Sequence, residues 1–199
     1  EIDTDMKPYL SKLENNIVHV KYMDILNSNI KEDIKYIKYN KLFVVGNLPY
    51  YITTAIIKYL INLDLQIDEM IFMVQDEVAD RFTSKCGSKE YSSITLYLNY
   101  YFNVSKLFEV SRFCFDPVPK VESAVIKFIK RDKCLDVDKD RYFKLINDAF
   151  KQKRKTLKNN LKGYDFAKIE EVLKEYNLSD TSRAEEISED IFVKITNVL

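Results

Sequence analysis

The chain has 199 residues, 46% hydrophobic and 13% aromatic, with 31 basic residues against 31 acidic. That size fits one domain, or one domain with a small appendage, and the apolar content can fill a core. Balanced charge excludes disorder driven by net charge, and it leaves nucleic-acid binding to be read from local charge alone.

Glu1-Ile2-Asp3 reads as the end of a strand that begins upstream. Pro8 to Leu13 can form a helix with Pro in its first turn. Ile17 to Val20 reads as a short strand with Asp24 just beyond it, and residues 31–39 as helix or loop. Leu42 to Val45 is an apolar strand ending in Gly46-Asn47-Leu48-Pro49-Tyr50-Tyr51. A helix follows, with Thr53 and Thr54 as candidate caps and Ile56, Ile57, Leu60 and Ile61 on one face. Met70 to Val74 is another buried strand, followed by the helical Val78 to Phe82. Ile94 to Tyr101 reads as helix, Val104 to Val110 as strand, and Val125 to Ile129 as a last strand. Strands alternating with helices predict an α/β fold with a mostly parallel sheet covered on both faces. From about Asp136 no strand pattern remains; four helical patterns follow, the last with Ser188 as candidate cap. The local charge is uneven here: residues 130–164 hold 12 basic and 5 acidic residues, and residues 165–199 hold 4 basic and 9 acidic.

No run of about 18 apolar residues and no signal-peptide pattern occurs in the sequence. Cys86, Cys114 and Cys134 are odd in number and lack CxxC spacing, so they read as free thiols of a reducing cytoplasm. His19 has no Cys or acid at ligand spacing, and no metal site is expected.

The chemistry concentrates in Asn47-Leu48-Pro49-Tyr50, a polar turn where a strand feeds a helix. Open α/β sheets place their ligands outside the carboxyl ends of strands. An aromatic amino group is a poor nucleophile because its lone pair is delocalised into the ring. Two acceptors aimed at its N–H bonds favour a pyramidal nitrogen with that pair available. The Asn47 side-chain oxygen and the backbone carbonyl of Leu48 or Pro49 can supply them, and Pro49 stiffens the turn. Tyr50 can stack on the base, worth about 1–3 kcal/mol. The bland alternative is a plain β-turn with a packed Tyr.

Glu1 could accept from a ribose and Asp24 from an adenine amino group, each otherwise a solvated or capping acid. Phe113 and Phe115 flank Asp116-Pro117-Val118-Pro119-Lys120, and Phe115 is the better candidate to clamp a flipped base from the face opposite Tyr50. Its alternative is a hydrophobic plug under a loop. Lys151-Gln152-Lys153-Arg154-Lys155-Thr156-Leu157-Lys158, read as helix, is the strongest basic cluster and a candidate for phosphate binding, or else a solvated face.

Taken in order, these motifs resemble the rRNA adenine N6,N6-dimethyltransferase family of the KsgA/RsmA type. The resemblance spans the chain. Glu1-Ile2-Asp3 is similar to its second cofactor motif, and residues 46–54 to its catalytic motif. Residues 73–81 follow its next strand and helix, residues 115–125 its substrate loop, and residues 150–157 and 183–188 its helical domain.

The resemblance implies a Rossmann-like class I methyltransferase sheet with a small C-terminal all-α domain. Residues 1–134 would be the catalytic domain and residues 135–199 a helical RNA-binding domain. It implies S-adenosylmethionine-dependent dimethylation of two adjacent adenines in small-subunit (16S) rRNA, on the immature 30S subunit, with no oligomer required. Asn47, Leu48, Pro49, Tyr50 and Phe115 would be catalytic, and Glu1, Asp24 and Asn47 would bind cofactor. Lys120, Lys151, Lys153, Arg154, Lys155 and Lys158 would bind RNA.

The family's glycine-rich first motif has no counterpart among Gly46, Gly87 and Gly163. The chain is therefore expected to lack the first strand and helix of the fold and to bind the cofactor weakly. Two other readings stay open: a non-catalytic RNA-binding assembly factor, and an Erm-type 23S rRNA methyltransferase. That resistance branch usually has Ile at the Leu48 position and Glu-Tyr-Gly in place of Gln75-Asp76-Glu77, so the residues lean to the housekeeping branch.

Overall fold

A computed structural model describes residues 1–133 and 135–199. Cys134, expected as a free thiol, lies outside the described residues, while Cys86 and Cys114 are exposed free thiols. The chain divides into two compact units: residues 1–43 with 48–67, and residues 44–47 with 68–199.

The first unit is helical and irregular. α1 (Lys7–Leu10) starts with Pro in its first turn and tightens into a 3-10 turn over Ser11–Leu13. α2 spans Ile30–Asp33, and its first-turn Glu32 amide is capped by Asn29. The strand expected over Ile17–Val20 does not form. The Asn15 side chain takes the N–H groups of Ile17 and Val18 at 2.8 and 2.9 Å, and Glu14 takes that of Val20 at 3.3 Å. Side chains thus satisfy donors that a strand would give to a neighbour. α3 (Thr53–Asn62) buries Ile56, Ile57 and Leu60, the face its periodicity indicates. Neither Thr53 nor Thr54 caps it. Ile52 is the N-cap, and the Thr53 hydroxyl instead donates back to the Pro49 carbonyl at 3.1 Å.

The second unit holds a four-stranded sheet: β1 (Phe43–Asn47, its first residue in the other unit), β2 (Glu69–Gln75), β3 (Phe102–Val110) and β4 (Ser123–Lys130). The strand order is β1-β2-β4-β3. β4 runs antiparallel to both neighbours, pairing Met70 with Phe128 and Val104 with Phe128. The expectation of a mostly parallel sheet fails for these pairs. The last strand returns through the loop after β3 and inserts between β2 and β3, a pairing that periodicity does not encode. A register shift between Lys106 and Phe108 leaves Leu107 as an extra residue, and Leu107 and Phe108 are exposed.

α4 (Asp76–Thr83) and α5 (Ser93–Tyr101) belong to the same unit. Phe128 is the hub of the sheet core: Phe72, Phe82 and Phe102 each meet its ring nearly edge-on, with centroids 5.9, 6.4 and 6.0 Å away. Such pairs add about 0.5–1.5 kcal/mol each beyond burial. Ser92 and Thr95 form a capping box at the start of α5.

The C-terminal helices are α6 (Lys139–Ala149), α7 (Leu157–Asn160), α8 (Phe166–Glu175) and α9 (Glu189–Val198). Tyr142, Leu145, Ile146, Ile169, Leu173 and Phe192 pack into a core that also takes Tyr91 and Leu96. Ser188 precedes α9 but makes no side-chain cap bond. The segment 151–156, read from sequence as helix, is a turn between α6 and α7. The Asn160 side chain explains it. Its amide donates to the carbonyls of Ala149 and Gln152 at 2.7 and 3.1 Å and accepts from the Gln152 N–H at 3.2 Å, ending α6 there. Thr156 then caps α7 through the Asn159 N–H. No helix among the described residues is long and apolar enough to cross a membrane.

Candidate active site

β1 ends at Asn47, which is exposed and whose side-chain amide makes no hydrogen bond among the described residues. Its oxygen is thus open to accept from a ligand. Leu48 is buried at 7% exposure, Pro49 is exposed, and Tyr50 is half-buried. The two carbonyls left open by the sequence differ in their surroundings. Pro49 already accepts from the Ile52 N–H at 3.2 Å and from the Thr53 hydroxyl at 3.1 Å. The Leu48 carbonyl has no such partner among the described residues. The Thr53 bond turns the chain into α3 and holds the Pro49 peptide in place.

In the second unit, the loop after β3 opens with a short 3-10 turn, Arg112–Cys114, and continues through Phe115. Glu122 anchors this loop from three sides. Its carboxylate accepts the Arg112 N–H at 2.6 Å and lies 3.7 Å from the Arg112 guanidinium, and its carbonyl takes the Asp76 N–H at 3.0 Å. The sequence reading missed this brace, although Glu122 sits within the motif it quoted. Phe115 is half-buried, whereas Phe113 is 72% exposed, with the Arg112 guanidinium 5.0 Å from its ring centre. Lys120 is exposed on the far side of the two prolines.

Next to Asp76, Lys106 of β3 lies 2.6 Å from Asp76 and 2.8 Å from Asp80 on α4, and 3.3 Å from Glu109. Hydrogen bonds to Asp76 and then Asp80 push its ammonium pKa up. The lysine therefore stays charged and braces α4 to β3.

Glu1 and Asp24, the expected cofactor acids, belong to the first unit. Glu1 accepts from the N–H groups of Ile2 and Asp3 at 2.9 Å each, and the Asp3 bond foremost holds its carboxyl below the usual range. Asp24 caps the 3-10 turn Ile25–Asn27 through the Leu26 N–H at 2.9 Å, with its other oxygen 3.2 Å from the Asn27 amide. Carboxylate oxygens hold two lone pairs each, so both acids keep acceptor capacity for ribose hydroxyls or an adenine amino group. These acceptors suit the hydroxyl and amino donors of the nucleoside half of S-adenosylmethionine. For the rest, the glycines are scattered: Gly46 in β1, Gly87 in a loop at φ +89°, and Gly163 before α8. No three of them can form one phosphate- or carboxylate-cradling turn.

Of the basic cluster, Lys151, Lys153, Arg154 and Lys155 are exposed on the 151–156 turn. Lys153 donates to the Lys89 carbonyl. Lys158 differs: it pairs with Asp180 at 2.9 Å and lies 5.5 Å from the Phe166 ring centre, and the Asp180 bond pushes its pKa up. No group of three or more His, Cys, Asp or Glu among the described residues could hold a metal ion.

The family profile described as "Ribosomal RNA adenine dimethylase" matches residues 1–199. The chain belongs to the ribosomal RNA adenine dimethylase family. Proteins named "Ribosomal RNA small subunit methyltransferase A" are similar over nearly all of it. The one from Fusobacterium nucleatum is 38% identical over 204 residues, covering 100% of this chain and 76% of that protein. The one from Aster yellows witches'-broom phytoplasma is 34% identical over 201 residues, covering 98% of this chain and 75% of that protein. Two solved structures share the Rossmann-like fold. A dimethyladenosine transferase from Plasmodium falciparum has a TM-score of 0.76 at 23% identity, over 98% of this chain and 78% of the other. A 23S rRNA methyltransferase, ErmE, has a TM-score of 0.75 at 22% identity, over 100% of this chain and 80% of the other.

Proposed function

We propose that this protein dimethylates the N6 amino groups of two adjacent adenines in small-subunit rRNA, using S-adenosylmethionine, on the immature 30S particle in the cytoplasm. The observation that carries the reading is the Asn47-Leu48-Pro49-Tyr50 turn at the end of β1, with the Asn47 amide and the Leu48 carbonyl both unengaged.

Asn47 Oδ1 and the Leu48 carbonyl accept the two N–H bonds of the target amino group. Held this way the nitrogen pyramidalises and its lone pair turns toward the methyl donor. S-adenosylmethionine, when bound, would supply the methyl group, its sulfonium sulfur–methyl bond breaking to leave the neutral thioether S-adenosylhomocysteine. No strong base is needed, because the quaternised nitrogen is acidic and gives its proton to water. Tyr50 stacks on the extruded base, and Phe115 takes its other face. Glu1 and Asp24 accept from the cofactor's ribose and adenine. Lys120 and the cations of the 151–156 turn hold phosphates.

Methyl transfer to immature 30S particles by the protein and by Asn47→Ala tests this reading. The expected result is a kcat lower by about 10²–10³ in the variant, the scale of losing one preorganised polar group at a reacting centre, with RNA affinity unchanged. Equal activity of the two proteins overturns the role of Asn47. Tight RNA binding without transfer by either protein at saturating S-adenosylmethionine favours the assembly-factor reading, and transfer to 23S fragments alone favours the Erm-type one.

A further inference from the structure

The loop between α4 and α5 is tied to the helical segment at several points, one of them on the basic turn. The Lys153 ammonium donates to the carbonyl of Lys89. The rings of Tyr91 and Phe150 meet edge-on with centroids 5.8 Å apart. One residue inside the loop, the Gly87 N–H donates to the Glu185 carbonyl at 2.7 Å, and Gly87 holds φ +89°, a left-handed conformation that only glycine adopts at little cost. The loop is therefore held against the helical segment, with Lys89 at the 151–156 turn and Lys85 in the same loop, both exposed.

Charge pairing separates these cations from some others in the same helical segment, although Lys139, Arg141, Lys162 and Lys168 also enter no ion pair among the described residues. Lys144, Lys158, Lys174 and Lys194 each pair with a carboxylate, at 2.9, 2.9, 3.0 and 3.3 Å. Lys85, Lys89, Lys151, Lys153, Arg154 and Lys155 enter no ion pair among the described residues. The single acid of the loop, Glu90, is exposed and likewise enters none. Six like charges gathered on two tied loops repel one another, and a polyanion relieves that repulsion. The side of the ridge supplied by Lys85 and Lys89 does not belong to the basic motif at all.

We propose that Lys85 and Lys89 extend the 151–156 turn into one continuous ridge that binds the sugar-phosphate backbone of RNA, with the Lys153–Lys89 bond fixing its two halves in register. This rests on the reading of the protein as an rRNA-binding enzyme. Its arms contact phosphates rather than bases, so they set position and affinity without reading sequence.

The test measures Kd for a small-subunit rRNA hairpin with two adjacent adenines between 50 and 200 mM salt. The proteins compared are wild type, Lys85→Ala/Lys89→Ala, Lys85→Arg/Lys89→Arg and Lys153→Ala/Arg154→Ala. Each phosphate contact contributes about 0.7–0.9 to the slope of log Kd against log salt. The Lys85→Ala/Lys89→Ala slope is expected to fall by about 1.4–1.8, and the wild type's advantage to shrink roughly tenfold across that salt range. The double arginine variant is expected to keep the wild-type slope. The acceptor at Lys89 is backbone, so alanine there leaves the tie to Lys153 in place, and far-ultraviolet circular dichroism checks the fold. If the slope falls for Lys153→Ala/Arg154→Ala and not for Lys85→Ala/Lys89→Ala, the ridge is wrong and the RNA-binding reading stands. If the wild type does not bind the hairpin, the underlying reading is wrong instead. If Lys85→Ala/Lys89→Ala weakens binding to intact 30S particles with an unchanged slope on naked RNA, the loop meets a ribosomal protein and the proposal fails.

Discussion

Arg131 at the end of β4 clasps Glu189 at the start of α9. One guanidinium nitrogen lies 2.9 and 3.1 Å from the two carboxylate oxygens and also donates to the Asn99 carbonyl of α5. Three elements therefore share one cation, which fixes the sheet end against the helical segment within the second unit. Glu189 gains twice, because a carboxylate in the first turn of a helix also faces the positive end of the helix dipole.

Removing the cation should cost more than neutralising its partner. Arg131→Met leaves Glu189 and the Asn99 carbonyl without this donor while both are part-buried, with an expected loss of about 1–3 kcal/mol. Glu189→Gln keeps an acceptor at the same place and should cost about 1 kcal/mol. Urea denaturation reads this as a lower midpoint at unchanged m-value. A midpoint for Arg131→Met within error of the wild type would show that the clasp contributes nothing.

Asn160 offers a way to loosen the basic turn without removing a charge. Asn160→Ala deletes its bonds to Ala149 and Gln152 and should cost about 1–3 kcal/mol. RNA affinity should fall because the cations of the turn are no longer preorganised. The slope of log Kd against log salt should stay at the wild-type value, since no phosphate contact is deleted. A slope that falls as it does for Lys153→Ala/Arg154→Ala would mean the turn loses its contacts outright.

Much of this is legible in the sequence itself. Local periodicity marks β2, α3, α6 and α9, because each buries one face whose residues recur at the helix or strand period. The Asn47-to-Tyr50 turn is legible because its residue types are rare together and follow an apolar strand. Three features are not. The place of β4 between β2 and β3 depends on long-range pairing. The turn at 151–156 depends on Asn160, several residues downstream and unremarkable by type. The missing strand at Ile17–Val20 depends on Asn15 and Glu14 capturing its amides, where β-branched residues alone favour a strand.

Thr53 is a positioning residue for the candidate site. It is buried at 2% exposure, and its hydroxyl accounts for one of the two bonds on the Pro49 carbonyl. Thr53→Val keeps the shape, removes the donor and should cost about 1 kcal/mol of stability. Under the proposed function it should lower kcat severalfold through a misplaced Leu48–Pro49 peptide, with KM for RNA unchanged. Thr53→Ser should restore kcat. A change in KM with constant kcat would assign Thr53 to RNA binding, and an inactive Thr53→Ser would assign the defect to packing.

Alkaline pH should destabilise the protein, in part through α5, since burial also raises the Tyr91 and Tyr142 hydroxyls. Tyr97 and Tyr101 sit one helical turn apart with ring centres 5.5 Å apart, and burial is the first cause that pushes each hydroxyl up to about 12. The ordinary value is 10.0, so between that pH and about 12 the folded chain holds protons that the unfolded chain has released. Stability therefore falls as pH rises through this window, and the contribution is intact below it. Lys106, whose pKa is raised by Asp76 and Asp80, acts with the same sign and loses its contribution at still higher pH. Thermal midpoints taken in steps from about pH 8 to 12 should decline gently and then steepen above about pH 10. Tyr101→Phe removes one titrating hydroxyl and should flatten the steep part. A variant curve that parallels the wild type through that window would move the alkaline transition away from this pair.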